Sequence, residues 1–279
     1  MTLLICYRFF YITVSLNVLF QNVYLGYIPY CTGPYILQFM KVNLQFYNVF
    51  FEEIYSYTMP YSMFHLSGGV VHVANSSFIN IGYKTNDTSG YFSPDDNAVL
   101  YFYNEKAVLV ESCVCVSINV SLHTGQIIYS SSGGNFTLVN SYLKNNHIPG
   151  YYSMGVVMMG ANLSNNTFIG LQCPNSTFRF SRFQHINGPI AMLGEAVYAR
   201  RKNNRIAYVI NNTFINCICK NGGSLCIINF NTVYINNLQF KNSYAVQRGG
   251  TFSIMSASLV NIQNIQTTNS ESLSALEVS

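Results

Sequence analysis

Charge is scarce in this chain of 279 residues: only 9% are charged, and just three are aspartate, Asp87, Asp95 and Asp96. Polysaccharide chemistry on paired carboxylates, or on calcium with a base nearby, has few residues to draw on. The 14 basic residues leave a net charge of +4. They form no broad basic footprint, which argues against nucleic acid as a partner. No stretch repeats its apolar residues at helical spacing, so a helical architecture is not expected. The apolar stretch 9–20 is too short and too interrupted for a spanning helix. Cys-x-x-Cys and paired-His spacings are missing, so no metal site is expected. A Gly-x-Ser-x-Gly elbow is missing as well. No cofactor motif and no catalytic set emerges.

Strand-forming residues are abundant: 22 Tyr, 20 Phe and many Ile and Val. They are organised by a recurring pattern, Asn-x-x-Phe-x-Asn. It starts at Asn17 (Phe20), Asn43 (Phe46), Asn75 (Phe78), Asn140 (Leu143), Asn165 (Phe168), Asn211 (Phe214) and Asn237 (Phe240), with Ile265 as a degenerate eighth. The clean step is 25 or 26 residues, and longer steps read as loop insertions, with Cys113 filling the gap between Phe78 and Leu143. Repetition at such a period signals a solenoid.

The unit has internal logic. An apolar residue stands five before the aromatic, as Val73, Leu138, Leu163, Val209, Ile235 and Val260 do. Residues five apart on one straight strand face opposite ways. If both point inward, the chain turns between them, and Asn tolerates the left-handed backbone of such a corner. Stacked coils then place Asn over Asn and Phe over Phe. The expected fold is all-β: a single-stranded parallel β-helix of about ten coils, a rod of roughly 45 to 50 Å. The six phenylalanines and Leu143 are expected in one buried stack, and the asparagines in an inward ladder.

Paired glycines follow in some coils, at Gly68-Gly69, Gly133-Gly134, Gly222-Gly223 and Gly249-Gly250. Phe214-x-Asn216 followed by Gly222-Gly223, and Phe240-x-Asn242 followed by Gly249-Gly250, resemble the repeats of polymorphic outer membrane proteins and their protist surface relatives. That family carries Phe-x-x-Asn and Gly-Gly-Ala-aliphatic motifs. This chain is one residue shorter in the first and has no alanine after its glycine pairs. The resemblance implies a right-handed β-helix and a place on a cell surface or outside the cell.

The organisation expected is an apolar segment 1–16, a β-helix over 17–269 and a Ser-rich tail 270–279. The first segment reads as a first strand rather than a cleaved signal, because the repeat already begins at Asn17. With no leader before the repeat, and with the pattern fading at Ile265, the chain reads as a fragment of a longer solenoid. Among the eight cysteines, Cys113 and Cys115 are assigned to the aromatic and following Asn slots, as small buried hydrophobes. Disulfides are the alternative. Eight Asn-x-Ser/Thr sequons occur. Those at Asn75, Asn165 and Asn211 fall on the expected inward corner, where a glycan has no room.

Candidate sites are few. Asp95-Asp96 follows Ser93-Pro94 and reads as a turn. Glu52-Glu53 reads as a solvated bend. None of His65, His72, His123, His147 and His185 pairs with a carboxylate at a recognisable spacing. Arg200, Arg201, Lys202 and Arg205 crowd into six positions and form the candidate contact for an acidic glycan or membrane headgroups. The function expected is non-enzymatic: a structural stalk or adhesin-like module meeting glycans or host cell-surface proteins. The competing reading is a pectate-lyase-like enzyme with its cleft near 84–106.

Overall fold

The computed structural model describes residues 10–12, 16–31, 37–56, 64–83, 98–118, 124–144, 152–159, 162–169, 171–173, 178–179, 185–186, 190–193, 206–221, 223–248 and 251–272. These form a right-handed parallel β-helix. No helix occurs among them. Every strand pairs in parallel except Phe178–Arg179, which meets His185–Ile186 antiparallel.

One coil shows the plan. Strands Leu37–Met40, Asn43–Tyr47 and Phe50–Ser56 turn at Lys41, Asn48 and Glu53, each in the left-handed region with φ of 60°, 55° and 51°. Asn is the commonest residue at such corners because its short polar side chain tolerates that backbone. Gly68, at φ 79°, replaces Lys41 one level on. A Cβ on the next residue, Gly69, would collide with the backbone carbonyl of Val42. Only glycine fits where those two turns are packed together.

Inward residues stack in columns. One column runs Phe20, Phe46, Val73, Val110, Leu138, Leu163, Val209, Ile235 and Ile262. It counts nine levels, not about ten, and spans roughly 38 Å at about 4.8 Å per step. A second runs Leu25, Phe51, Phe78, Cys115, Leu143, Phe168, Phe214, Phe240 and Thr267. Its rings lie nearly parallel where they meet: Phe168 on Phe214 at 5.1 Å and Phe214 on Phe240 at 4.9 Å.

The single phenylalanine stack is therefore two. Phe20 and Phe46 sit one strand earlier than Phe78, Phe168, Phe214 and Phe240. The cause is that Asn-x-x-Phe-x-Asn describes any strand between two polar positions, and each coil has several. In the first two coils the motif spells the second strand, so its last asparagine, Asn22 or Asn48, is the corner. From Asn75 onward it spells the third strand, and its first asparagine is the corner. Asn17 and Asn43 consequently open strands and are not corners. Likewise Cys115, not Cys113, takes the aromatic slot. Cys113 is the residue after the corner Ser112.

The asparagine ladder is external, which overturns the inward placement. Asn43, Asn75, Asn140, Asn165, Asn211 and Asn237 are exposed. Their amides still join level to level: Asn43 Nδ2 donates to Asn17 Oδ1 at 2.9 Å, Asn165 to Asn140 at 3.1 Å, Asn211 to Asn165 at 3.0 Å and Asn237 to Asn211 at 2.9 Å. At a left-handed corner the residue itself points out and its successor turns in. The buried polar column is accordingly Ser76, Ser141, Asn166 and Asn212, with Cys113 among them. Asn212 Nδ2 donates to the carbonyls of Leu163 and Ile210, while its Oδ1 accepts from the backbone and side-chain N–H groups of Asn166. A buried amide so fully paired is tolerated in an apolar core.

Candidate interaction face

The second strands of all the coils form one sheet whose alternate residues face outward, so its outer surface carries three columns. The first holds Asn17, Asn43, Val70, Ala107, Ile206, Thr232 and Leu259. The middle column holds Leu19, Gln45, His72, Leu109, Thr137, Tyr208, Tyr234 and Asn261. The third holds Tyr47, Ala74, Glu111, Val139, Ser164, Ile210, Asn236 and Gln263. Straight strands in register make this surface regular along the axis.

Its two halves differ in how their apolar residues lie. The early levels scatter them one to a column, Leu19 at 56% exposed, Tyr47 at 45% and Val70 at 43%, among the polar Asn17, Gln45, His72 and Glu111. His72 Nε2 lies 2.7 Å from Glu111 Oε1, both about one-third exposed. No recognisable sequence spacing marks this pair: the partners are 39 residues apart, joined by register across an insertion. The late levels carry an apolar patch: Ile206 is 42% exposed, Tyr208 39%, Tyr234 36% and Leu259 55%. Tyr208 and Tyr234 stack at 5.4 Å, nearly parallel. Their mutual packing restricts both rings before any partner arrives.

The other candidates fall as follows. Arg200, Arg201, Lys202 and Arg205 lie outside the described residues, immediately before the strand Ile206–Ile210. Asp95, Asp96, His123 and His147 lie outside them too. Glu53 is a corner, and Glu52 accepts a hydrogen bond from the Tyr24 hydroxyl at 3.0 Å. His65 sits beside Tyr101, with ring centroids 5.0 Å apart, and burial pulls its pKa down to about 4. Cys113, Cys115, Cys217 and Cys226 are buried. Burial pushes the Cys113 thiol up to about 12 and raises that of Cys115 further. Neither is a reactive thiolate at neutral pH. Among the described residues, no three His, Cys, Asp or Glu side chains gather within reach of a metal ion. No described helix is long and apolar enough to cross a membrane.

Comparison with known protein families, with characterised proteins and with solved structures finds no match.

Proposed function

We propose that this chain is a non-enzymatic β-helix of a cell surface or the extracellular space, a stalk that is also an adhesin-like interaction module. The observation that carries this reading is the late half of the second-sheet face. Exposed Ile206, Tyr208, Tyr234 and Leu259 lie on successive levels of a rigid, regular surface otherwise rich in Asn, Thr and Gln. Contiguous exposed apolar surface rimmed by polar residues marks interaction sites. Tyrosine suits the role because it offers large amphipathic area at small entropic cost. The expected partners are glycans or cell-surface proteins. The basic run Arg200, Arg201, Lys202 and Arg205 would add a salt-sensitive attraction to acidic partners.

The test is binding of the full chain to arrayed glycans and to intact cells, with and without the double substitution Tyr208→Ser and Tyr234→Ser. The double variant should lose binding about tenfold or more, as removal of aromatic anchors usually does, while circular dichroism stays that of the parent. Equal binding by parent and variant would remove this face from consideration.

A further inference from the structure

The last described coil leaves an open edge. Strand Leu259–Thr268 has no residue fully buried, and its inward Val260 and Ile262 are 40% and 45% exposed. Ile265, Phe252, Ile254 and Ala257 are only partly buried against the core. A long, straight edge strand is a template for another strand.

The first coil is built to the same measure. Phe10, Asn17, Asn22 and Tyr27 follow one another by seven, five and five residues, and their counterparts eight levels on, Phe252, Leu259, Asn264 and Asn269, repeat that spacing. Insertions lengthen several coils between them, but these two coils match strand for strand. Their inward residues correspond as well: Val18 with Val260, Phe20 with Ile262 and Val23 with Ile265. The corners Asn22 and Asn264 share the left-handed backbone, at φ 55° and 53°. The external ladder also has a direction. Each amide donates to the level before it, as Asn48 does to Asn22 and Asn264 to Asn236. Among the described residues the ladder thus ends in a donor at Asn22 and an acceptor at Asn264.

We propose that the ninth coil is the docking edge for the first coil of a second copy of this chain. The two would meet head to tail in the register that already governs every internal level. Val18, Phe20 and Val23 of the incoming copy cover Val260, Ile262 and Ile265, and its Asn22 amide donates to Asn264. Such a contact is heterologous and does not close, so it extends into linear assemblies.

Sedimentation velocity of the full chain over a wide concentration range, with electron microscopy of the largest species, tests this. The parent should associate with concentration into rods that lengthen only along the helix axis. Ile262→Lys with Val260→Glu, at positions already exposed, should weaken association by roughly a hundredfold, because an unpaired charge resists burial. Added in small amounts to the parent, that variant should still donate its first coil and so shorten the rods. The exposed rim residues Gln21 and Gln263 would face each other across the junction and give a second test that leaves the core untouched. Gln21→Lys with Gln263→Lys should weaken association several-fold, and Gln21→Glu with Gln263→Lys should restore it, since directly opposed charges repel or attract. A parent that stays monomeric overturns the proposal. So does association indifferent to all of these substitutions, which would place the contact elsewhere.

Discussion

Asn211 and Asn212 are neighbours of one residue type and live in opposite worlds. Asn211 is exposed, holds φ at 54° and bonds to its counterparts above and below. Asn212 is fully buried and supplies partners to four groups, three of the level before and one of its own. Asn165 and Asn166 repeat the arrangement. The difference teaches that the corner has two separate requirements. The outer position needs a residue that accepts a left-handed backbone. The inner one needs a residue that closes hydrogen bonds the turn leaves open, and where no such residue stands, an apolar one fills the space, as Leu238 and Val49 do.

The largest effect should follow from breaking the inner position. Asn212→Ala strands the carbonyls of Leu163 and Ile210 and the N–H groups of Asn166 inside the core. Each unmet group costs about 1–3 kcal/mol, and some will find water or relax, so a loss of about 3–4 kcal/mol is expected. Urea unfolding measures it, and a loss under about 1 kcal/mol would show that the buried column is dispensable.

Outward does not always mean exposed, and the first sheet sharpens that point. Gln38, His65 and Tyr101 stack in register on its outward row, yet Gln38 and Tyr101 are buried and the His65 ring is mostly so. Burial lowers the His65 pKa from its ordinary 6.5 to about 4. The unfolded chain therefore takes up the proton first. Stability is complete above about pH 6.5 and falls as pH drops toward 4, by up to about 3 kcal/mol if nothing else titrates. His65→Gln, which places a second glutamine above Gln38, should flatten that segment of the curve. An unchanged slope would assign the acid sensitivity to other groups.

The same inside–outside distinction explains what was legible in the sequence. The solenoid, its parallel strands and its asparagine corners follow from the 25- or 26-residue step alone. Which side of the corner faces inward does not, because both Asn165 and Asn166 are polar and only the backbone handedness separates them. The slip of one strand between Phe46 and Phe78 was equally hidden, since the motif fits either strand. Continuous apolar runs such as Leu225-Cys-Ile-Ile228 and Val99-Leu-Tyr-Phe102 did carry a signal: strands covered on both faces lose their alternation. Tyr208 and Tyr234 share the step of Phe214 and Phe240, so half of the candidate face was readable from spacing. The His72–Glu111 pair was not, because the insertion between their levels breaks the period.

The smallest effect belongs to the outer position. Asn211→Ala keeps the fold but forces a β-carbon into left-handed space, at about 1–2 kcal/mol for the non-glycine penalty that Asn partly escapes. It also removes two exposed side-chain bonds, which water largely replaces. Asn211→Gly loses the same two bonds while relieving the backbone. If the corner conformation is what this position supplies, the glycine variant should lie within about 1 kcal/mol of the parent and above the alanine variant. If the external amide ladder is what matters, glycine and alanine should be equally poor. Glycosylation reads the same position independently. Asn211 and Asn165 head sequons, and their Nδ2 atoms are engaged in the ladder rather than buried. A glycan at either breaks one exposed rung without opening the core, so occupancy found by glycopeptide mapping should lower the melting temperature by only a few degrees. A large loss on glycosylation, matched by an equally large loss in Asn211→Gly, would show that the outer column holds the levels together as firmly as the inner one.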